Sequence, residues 1–282
     1  MHATTTLQKR QELRRLLQRG TINIAPGAAD VLTARLVELM GYPAVYLSGS
    51  LQHAMRGYAD INALTMSEMV QTSENVAHEI AIPCIADAET GFGIGINVTR
   101  TVRCFERAGV AAIHIEDSTV PKRPARLGFE SPTVSKTEFL DKIKTALDAR
   151  TDHSLVIIAR SELRGNDDEK FERMHDAVEL GADAFWAGGF APAQVEKICR
   201  QLKQPAVAVL PQKMTAEQFG ALGVKMGVVP GALAIAGLMA QRALLDDMKT
   251  SGSWSSWLER QPDVKLVTDY YNSQGLSDAR PK

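Results

Sequence analysis

The sequence predicts an α/β protein built as a (β/α)8 TIM barrel, with an N-terminal helix before the barrel and a helical C-terminal tail after it. Eight short apolar runs alternate with eight stretches of helical periodicity, roughly 30 residues per unit, which fits a closed barrel better than an open doubly wound sheet. The phrases AGVAAIHI, LGADAFWA and LGVKMGVV share one order: helix end, glycine, buried strand. A chain of 282 residues that is 45% hydrophobic and 23% charged also has the size and composition of one large core.

The first element, residues 5–18, places Leu7, Leu13, Leu16 and Leu17 at near-helical spacing and stops at Gly20. Strands are then expected at 22–25, 44–48, 83–86, 111–115, 155–159, 184–186, 206–209 and 224–229. The helices that follow them are expected at 28–40, 67–79, 97–108, 136–149, 167–180, 192–202, 216–222 and 233–249. Turn residues such as Gly41-Tyr42-Pro43, Ala108-Gly109, Gly181-Ala182 and Gly223 separate them. Beyond the eighth unit, Trp254, Trp257, Leu258, Val264, Leu266, Tyr270 and Tyr271 mark an aromatic helical tail that should pack on a neighbour or on the outer ring. The expected division is a helix over 1–20, a catalytic barrel over 21–250 and an oligomer-packing tail over 251–282.

Thirty-two Lys and Arg against thirty-three Asp and Glu leave a net charge of -1, so no basic surface points to nucleic acid. Three widely spaced cysteines without metal spacing suit a reducing cytoplasm. The polar, basic stretch 1–20 does not read as a secretory signal. The most apolar stretch, 226–245, carries Pro230, Gln241 and Arg242 and reads as a strand and helix rather than a membrane span.

Barrel chemistry sits on the loops that follow the strands. Those positions hold Ser48-Gly49-Ser50 after the second strand, Asp87-Ala88-Glu89-Thr90-Gly91-Phe92-Gly93 after the third, Glu116-Asp117 after the fourth and Arg160-Ser161-Glu162 after the fifth. On an extended segment Asp87 and Glu89 face one side, where Glu116 can join them from the next strand. Gathered carboxylates repel, and a hard divalent cation relieves that, so Mg2+, or Mn2+ in its place, is expected on Asp87, Glu89 and Glu116. Such an ion can act as a Lewis acid on developing enolate charge, and Arg160 can hold a carboxylate or the same oxygen. A lone acid here would read as a salt-bridge partner; the clustering favours a metal site. His53 is a candidate acid or base that reads more readily as a helix-surface or loop-packing histidine, and Tyr58 could donate a proton or simply pack. His114 and Cys84 read as barrel-interior or buried residues.

The segments YLSGS (46–50), DAETGFG (87–93), AGVAAIHIEDSTVPKR (108–123) and VIIAR (156–160) resemble those of the isocitrate lyase/phosphoenolpyruvate mutase superfamily, in order and in spacing. The resemblance implies that Asp87 is the direct metal ligand, with Glu89 and Glu116 acting directly or through water. It implies that Tyr46, Ser48, Gly49 and Ser50 bind the substrate carboxylate, that Asp60 lies beside the metal, that Lys122 opens a gating loop and that Arg160 contacts substrate. It further implies a homo-oligomer, commonly a tetramer, in which the last barrel helix is exchanged.

Departures from the family pattern narrow the reading. Its carbon–carbon lyases carry a K-[KR]-C-G-H loop, where this chain reads Pro121-Lys122-Arg123-Pro124-Ala125-Arg126-Leu127-Gly128-Phe129. Their glutamate after the sixth strand and N-x-T after the seventh are replaced by Trp186-Ala187-Gly188-Gly189 and Leu210-Pro211-Gln212-Lys213. The decarboxylase branch's histidine after the eighth strand is replaced by Val229-Pro230-Gly231-Ala232, and Glu89 stands for the usual aspartate. The expected activity is a Mg2+-dependent carbon–carbon lyase or decarboxylase acting on a small 2-oxo or 2-hydroxy carboxylic acid through a metal-bound enolate. The alternatives are P–C bond chemistry on a phosphonopyruvate-like substrate, and a catalytically weak ligand-binding barrel.

Overall fold

Eight parallel strands pair side by side in the order β1-β8-β7-β6-β5-β4-β3-β2. They are β1 (Asn23–Pro26), β2 (Val45–Leu47), β3 (Cys84–Asp87), β4 (Ala112–Glu116), β5 (Val156–Arg160), β6 (Ala184–Trp186), β7 (Ala206–Val209) and β8 (Val224–Val229). The two ends of that sheet meet just past β1, where Gly27 bridges Tyr46 in parallel and the Ala28 N–H donates to the Tyr46 carbonyl at 3.0 Å. The strands therefore close into the expected (β/α)8 barrel. The computed structural model describes residues 4–123, 132–261 and 265.

Side chains alternate across each strand, and the packing follows that period. One core lies between barrel and helices, with Val45, Leu47, Phe105, Ile113, Ile115, Phe139, Ile157 and Phe185. The other fills the lumen, with Ala25, Tyr46, Ile85, Ala112, Ile158, Trp186, Val207 and Met226. In β4, Ile113 and Ile115 belong to the outer core and Ala112 to the lumen, so His114 and Glu116 share the lumen face with Ala112. Strands buried on both faces explain why the sequence shows short continuous apolar runs instead of alternation.

α1 (Thr6–Gln18) starts on a Thr5–Gln8 capping box. Its Leu13, Leu16 and Leu17 join the lumen core and close the barrel's amino-terminal end. Lys9 Nζ donates to the carbonyls of Ala77 and Ile80, both at 2.6 Å, and Arg10 Nε to that of Val110 at 3.0 Å, which fastens α1 in place. Around the barrel run α2 (Val31–Leu39), α4 (Met66–Glu79), α5 (Ile96–Arg107), α6 (Lys136–Ala149), α7 (Asp167–Glu179), α8 (Pro192–Gln201) and α9 (Ala216–Ala221). α2 begins at Val31 rather than at 28 because Asp30 is its cap, accepting from the Thr33 N–H at 2.7 Å. α3 (Gly49–Met55), capped by Ser48, is not anticipated by the sequence reading.

The chain divides into two compact units, Met1–Ala232 and Leu233–Lys282. The second contains α10 (Ala232–Ser251) except its first residue, and α11 (Ser255–Glu259). α10 has no buried residue and exposes Ile235, Leu238, Met239 and Leu245. Of the expected tail, Val264, Leu266, Tyr270 and Tyr271 lie outside the described residues, as do Pro124 to Phe129 of the loop after β4. Among the described residues no helix is long and apolar enough to cross a membrane.

Candidate active site

The carboxyl ends of β2 to β6 bring the expected residues together. Asp87 ends β3, Glu116 ends β4 and Arg160 ends β5, with Glu116 and Arg160 in register. Glu89 arrives differently from the extended segment expected: β3 stops at Asp87, and Glu89 takes a left-handed backbone at φ 51°. Asn62 (φ 59°) and Phe92 (φ 55°) share that region. For residues with a side chain this costs about 1–2 kcal/mol each, strain that a functional loop can carry. The Glu116 N–H donates to the Glu89 carbonyl at 2.8 Å and locks the turn against β4.

Asp87, Glu89 and Glu116 are all buried, and their polar partners differ. Asp87 is well supplied: Gly49 N–H donates to Oδ2 at 3.0 Å and Glu89 N–H to Oδ1 at 2.8 Å. Glu89 Oε2 accepts from Asn62 Nδ2 at 2.9 Å, while its Oε1 has no hydrogen-bond partner. Neither carboxylate oxygen of Glu116 has one. Cations stand nearby without hydrogen-bond geometry: Lys122 Nζ is 2.9 Å from Glu116 Oε1, and the Arg160 guanidinium is 3.3 Å from Glu116 Oε2 and 3.6 Å from Asp87 Oδ2. Lys122 Nζ also lies 3.5 Å from Asp60 Oδ1 and 3.5 Å from Glu89 Oε2. Buried oxygens left unsatisfied are costly, and a hard cation with oxygen ligands is the partner this donor set fits.

The electrostatics separate the three acids. Burial pushes Asp87 up, but His114, Arg160, Lys122 and the Glu89 N–H together pull it down to about 2. Burial and the Asp87 charge push Glu89 well above the usual carboxylate range, and burial raises Glu116. Burial alone would lower Lys122; the Glu116 and Glu89 carboxylates hold it protonated.

His53, Asp60 and Glu89 also bring possible ligand atoms within 4.8 Å of one another. His53 is spoken for, however. The Leu64 N–H donates to its Nε2 at 3.2 Å, which makes Nε2 the acceptor and Nδ1 the N–H that donates to the Gly49 carbonyl at 2.8 Å. With both nitrogens engaged and no exposed surface, His53 is a packing residue that braces α3. Tyr58 is 53% exposed.

Tyr46 and Ser48 to Ser50 take more specific places than the sequence suggests. Tyr46 Oη lies 2.9 Å from His114 Nε2, and His114 Nδ1 faces Asp87 Oδ1 at 3.5 Å; an ionised Asp87 favours the proton on Nδ1, which makes Nε2 the acceptor of the Tyr46 O–H. Burial pushes His114 down to about 4, so it is neutral at pH 7 and leaves Asp87 to be held ionised by Arg160 and Lys122. Gly49 spends its N–H on Asp87, and Ser48 Oγ lies 3.1 Å from Ser50 Oγ while capping Leu51. Gly49 has no room for a side chain: a Cβ there would overlap Glu89 Oε1 and lie 2.8 Å from Asp87 Oδ2.

Sequence reasoning gave no site role to four neighbours. Asn62 joins Glu89 to the Lys122 backbone, accepting the Lys122 N–H at 3.0 Å. His114 was legible, since it stands two residues before Glu116 on one strand face. Trp186 closes the floor 5.1 Å from the His114 ring, with the Arg160 guanidinium 4.8 Å above its own centroid. Glu162 accepts from Arg160 Nε at 2.7 Å. Asp117, next to Glu116 but on the other face, is a structural cross-link to Ser161, Glu162 and Arg173.

Comparison with known proteins places these features in a group. The phosphoenolpyruvate phosphomutase family model matches residues 13–249. The 2-methylisocitrate lyase of Aeropyrum pernix is 32% identical over 274 residues, covering 94% of this chain and 87% of the relative. Oxaloacetate acetylhydrolase bound to 3,3-difluorooxalacetate superposes with a TM-score of 0.86 at 27% identity, over 97% of this chain and 95% of the other. Phosphonopyruvate hydrolase with oxalate and Mg2+ gives a TM-score of 0.84 at 29% identity, over 96% and 97% of the two chains.

Proposed function

This chain belongs to the phosphoenolpyruvate phosphomutase family, within the isocitrate lyase/phosphoenolpyruvate mutase superfamily, and from that premise we propose a Mg2+-dependent lyase that cleaves a carbon–carbon bond of a small 2-oxo or 2-hydroxy carboxylic acid. The observation that carries the reading is the gathering of three buried carboxylates, Asp87, Glu89 and Glu116, in which the Glu89 Oε1 and both Glu116 oxygens lack a hydrogen-bond partner and Glu116 is faced only by the Lys122 and Arg160 charges. Asp87, Glu89 and Glu116 are the residues that would hold the ion, with Asp60 beside them. Mg2+ (Mn2+ in its place) supplies Lewis-acid stabilisation of a developing enolate oxygen.

The protein's own groups account for the remaining steps. Arg160 holds the substrate carboxylate by charge-assisted hydrogen bonds, and Tyr46, Ser48, Gly49 and Ser50 line the place where the acid lies. In decarboxylation the bond to the departing carboxylate breaks, CO2 leaves and the electron pair moves into the enolate. Water then returns a proton to carbon. Lys122 keeps a positive charge against the carboxylates throughout. His53 does not serve as the proton donor, because both its nitrogens are occupied.

The test is product detection with Mg2+ across oxaloacetate, 2-methylisocitrate, malate derivatives and phosphonopyruvate. Pyruvate from a carbon acid supports the lyase reading; phosphate or phosphoenolpyruvate from phosphonopyruvate moves the chain to P–C chemistry. We also infer a cytoplasmic homo-oligomer, a tetramer with the last barrel helix exchanged. The three free cysteines and the uncovered apolar residues of α10 support it. Sedimentation equilibrium showing a monomer would contradict the assembly.

A further inference from the structure

Glu89 gives its two carboxylate oxygens to different surroundings. Oε2 accepts from Asn62 Nδ2 at 2.9 Å and lies 3.5 Å from Lys122 Nζ. Oε1 has no hydrogen-bond partner. It lies on the Asp87 side, since one Cβ placed at Gly49 would overlap Glu89 Oε1 and sit 2.8 Å from Asp87 Oδ2. One oxygen is therefore held by the protein, and the other is left open beside Asp87.

The group that holds Oε2 is one amide with two duties. Asn62 Oδ1 accepts the Lys122 backbone N–H at 3.0 Å, which leaves Nδ2 as the end that donates to Glu89. The Lys122 side chain then returns to the same place, with Nζ near Glu89 Oε2 and 2.9 Å from Glu116 Oε1. A closed ring of contacts thus runs from Glu89 through Asn62 and the Lys122 backbone to the Lys122 ammonium and back. Among the described residues, Asn62 and Glu89 are two of the three non-glycines with a left-handed backbone, at φ 59° and φ 51°. Asparagine carries that conformation at lower cost than most side chains, and here it also supplies the amide. An aspartate at position 89 would end about 1.5 Å short of that amide, one carbon–carbon bond less.

We propose that Asn62 is a positioning residue that makes Glu89 a one-oxygen ligand. It occupies Oε2, leaves Oε1 for a cation beside Asp87, and ties the Lys122 backbone to the same carboxylate. Position 62 therefore sets both the reach of Glu89 toward the ion and the point from which Lys122 extends its charge among the acids. This rests on the divalent-cation reading above and deepens it.

The experiment measures Mg2+ affinity by calorimetry in a double-mutant cycle of Asn62→Gly and Glu89→Asp. Amide hydrogen exchange at Lys122 is read by mass spectrometry on the metal-free proteins. Glycine keeps the left-handed backbone and removes only the amide, so Asn62→Gly should fold. It should weaken Mg2+ binding by about tenfold or more in the wild-type background. In the Glu89→Asp background, where the carboxylate no longer reaches the amide, it should change affinity by about twofold or less. Exchange at the Lys122 amide should quicken by about tenfold in Asn62→Gly. Asn62→Asp keeps an acceptor oxygen for that amide and should stay within about threefold of wild type. A purely structural asparagine would lower Tm and weaken both backgrounds equally. That outcome overturns the proposal, as does an unchanged Lys122 exchange rate in Asn62→Gly. Wild type that binds no divalent ion would overturn the cation reading itself; ion binding with an additive cycle would overturn this inference alone.

Discussion

Lys122 Nζ lies 2.9 Å from Glu116 Oε1, so a lysine from the loop after β4 supplies positive charge to a carboxylate that is wholly buried. The same ammonium is 3.5 Å from Asp60 and from Glu89, which places one cation among three acids. It occupies the electrostatic role that a divalent ion would share or take over.

Replacing Lys122 by methionine should therefore have two opposite effects. Metal-free stability should fall by about 3 kcal/mol, because buried charges lose their partner. Mg2+ affinity should rise by about tenfold as the competing charge disappears. Thermal unfolding in chelator and a Mg2+ titration read the two effects, and weaker Mg2+ binding in the variant would contradict the competition.

The pH dependence has a definite sign. Glu89 is raised by burial and by Asp87, and Glu116 by burial. An acid whose folded value is raised contributes stability that is full below its unfolded value and is lost as pH rises through the folded value. Asp87, down to about 2, stays ionised across this window. The metal-free protein should lose stability above about pH 4.5, the ordinary glutamate range, and Mg2+ should restore it. The rise in Tm on adding Mg2+ should be larger at about pH 7.5 than at about pH 5. A rise that is equal or larger at the acidic pH would contradict the assignment.

Gly49→Ala tests the close approach of α3 to the acids. A new Cβ would overlap Glu89 Oε1, the end of a flexible side chain, so the chain should still fold. The displaced carboxylate should weaken Mg2+ binding by about tenfold or more while metal-free Tm changes by only about 2 °C. Unchanged Mg2+ affinity in a folded variant would contradict the placement of Glu89.

His114, pushed down to about 4 by burial, should show imidazole resonances that do not titrate between about pH 5.5 and 8. Tyr46→Phe removes the O–H donated to His114 Nε2 and should cost about 1–3 kcal/mol in denaturant unfolding, the penalty for a buried acceptor left unsatisfied. Titration of His114 near neutral pH in wild type would contradict a neutral His114 held between Tyr46 and the Asp87 carboxylate.

The parts of this site readable from sequence are those that follow strand period. Asp87, Glu116 and Arg160 stand at strand ends, and alternation alone sends them toward the lumen side. Glu89 was read as a candidate through an extended segment, yet it reaches the site through a left-handed turn. α3 went unread because Gly-Ser-Leu-Gln-His-Ala-Met opens on glycine and spans only 7 residues, which resembles a loop. Trp186 looked like one more apolar strand residue; its place depends on Arg160 at the end of β5 and on the His114 ring of β4, contacts between different βα units that no local pattern encodes. The place of His53 depends likewise on the Leu64 N–H, eleven residues away.

The most direct test of the central claim compares wild type with Asp87→Ala in a single assay, following pyruvate release from oxaloacetate as Mg2+ is titrated. Turnover that saturates with Mg2+ in wild type, vanishes in chelator and falls by about a thousandfold or more in the folded variant is the expected result. Asp87→Ala turning over at the wild-type rate, or wild-type turnover indifferent to chelator, would contradict a metal-dependent lyase built on Asp87, Glu89 and Glu116.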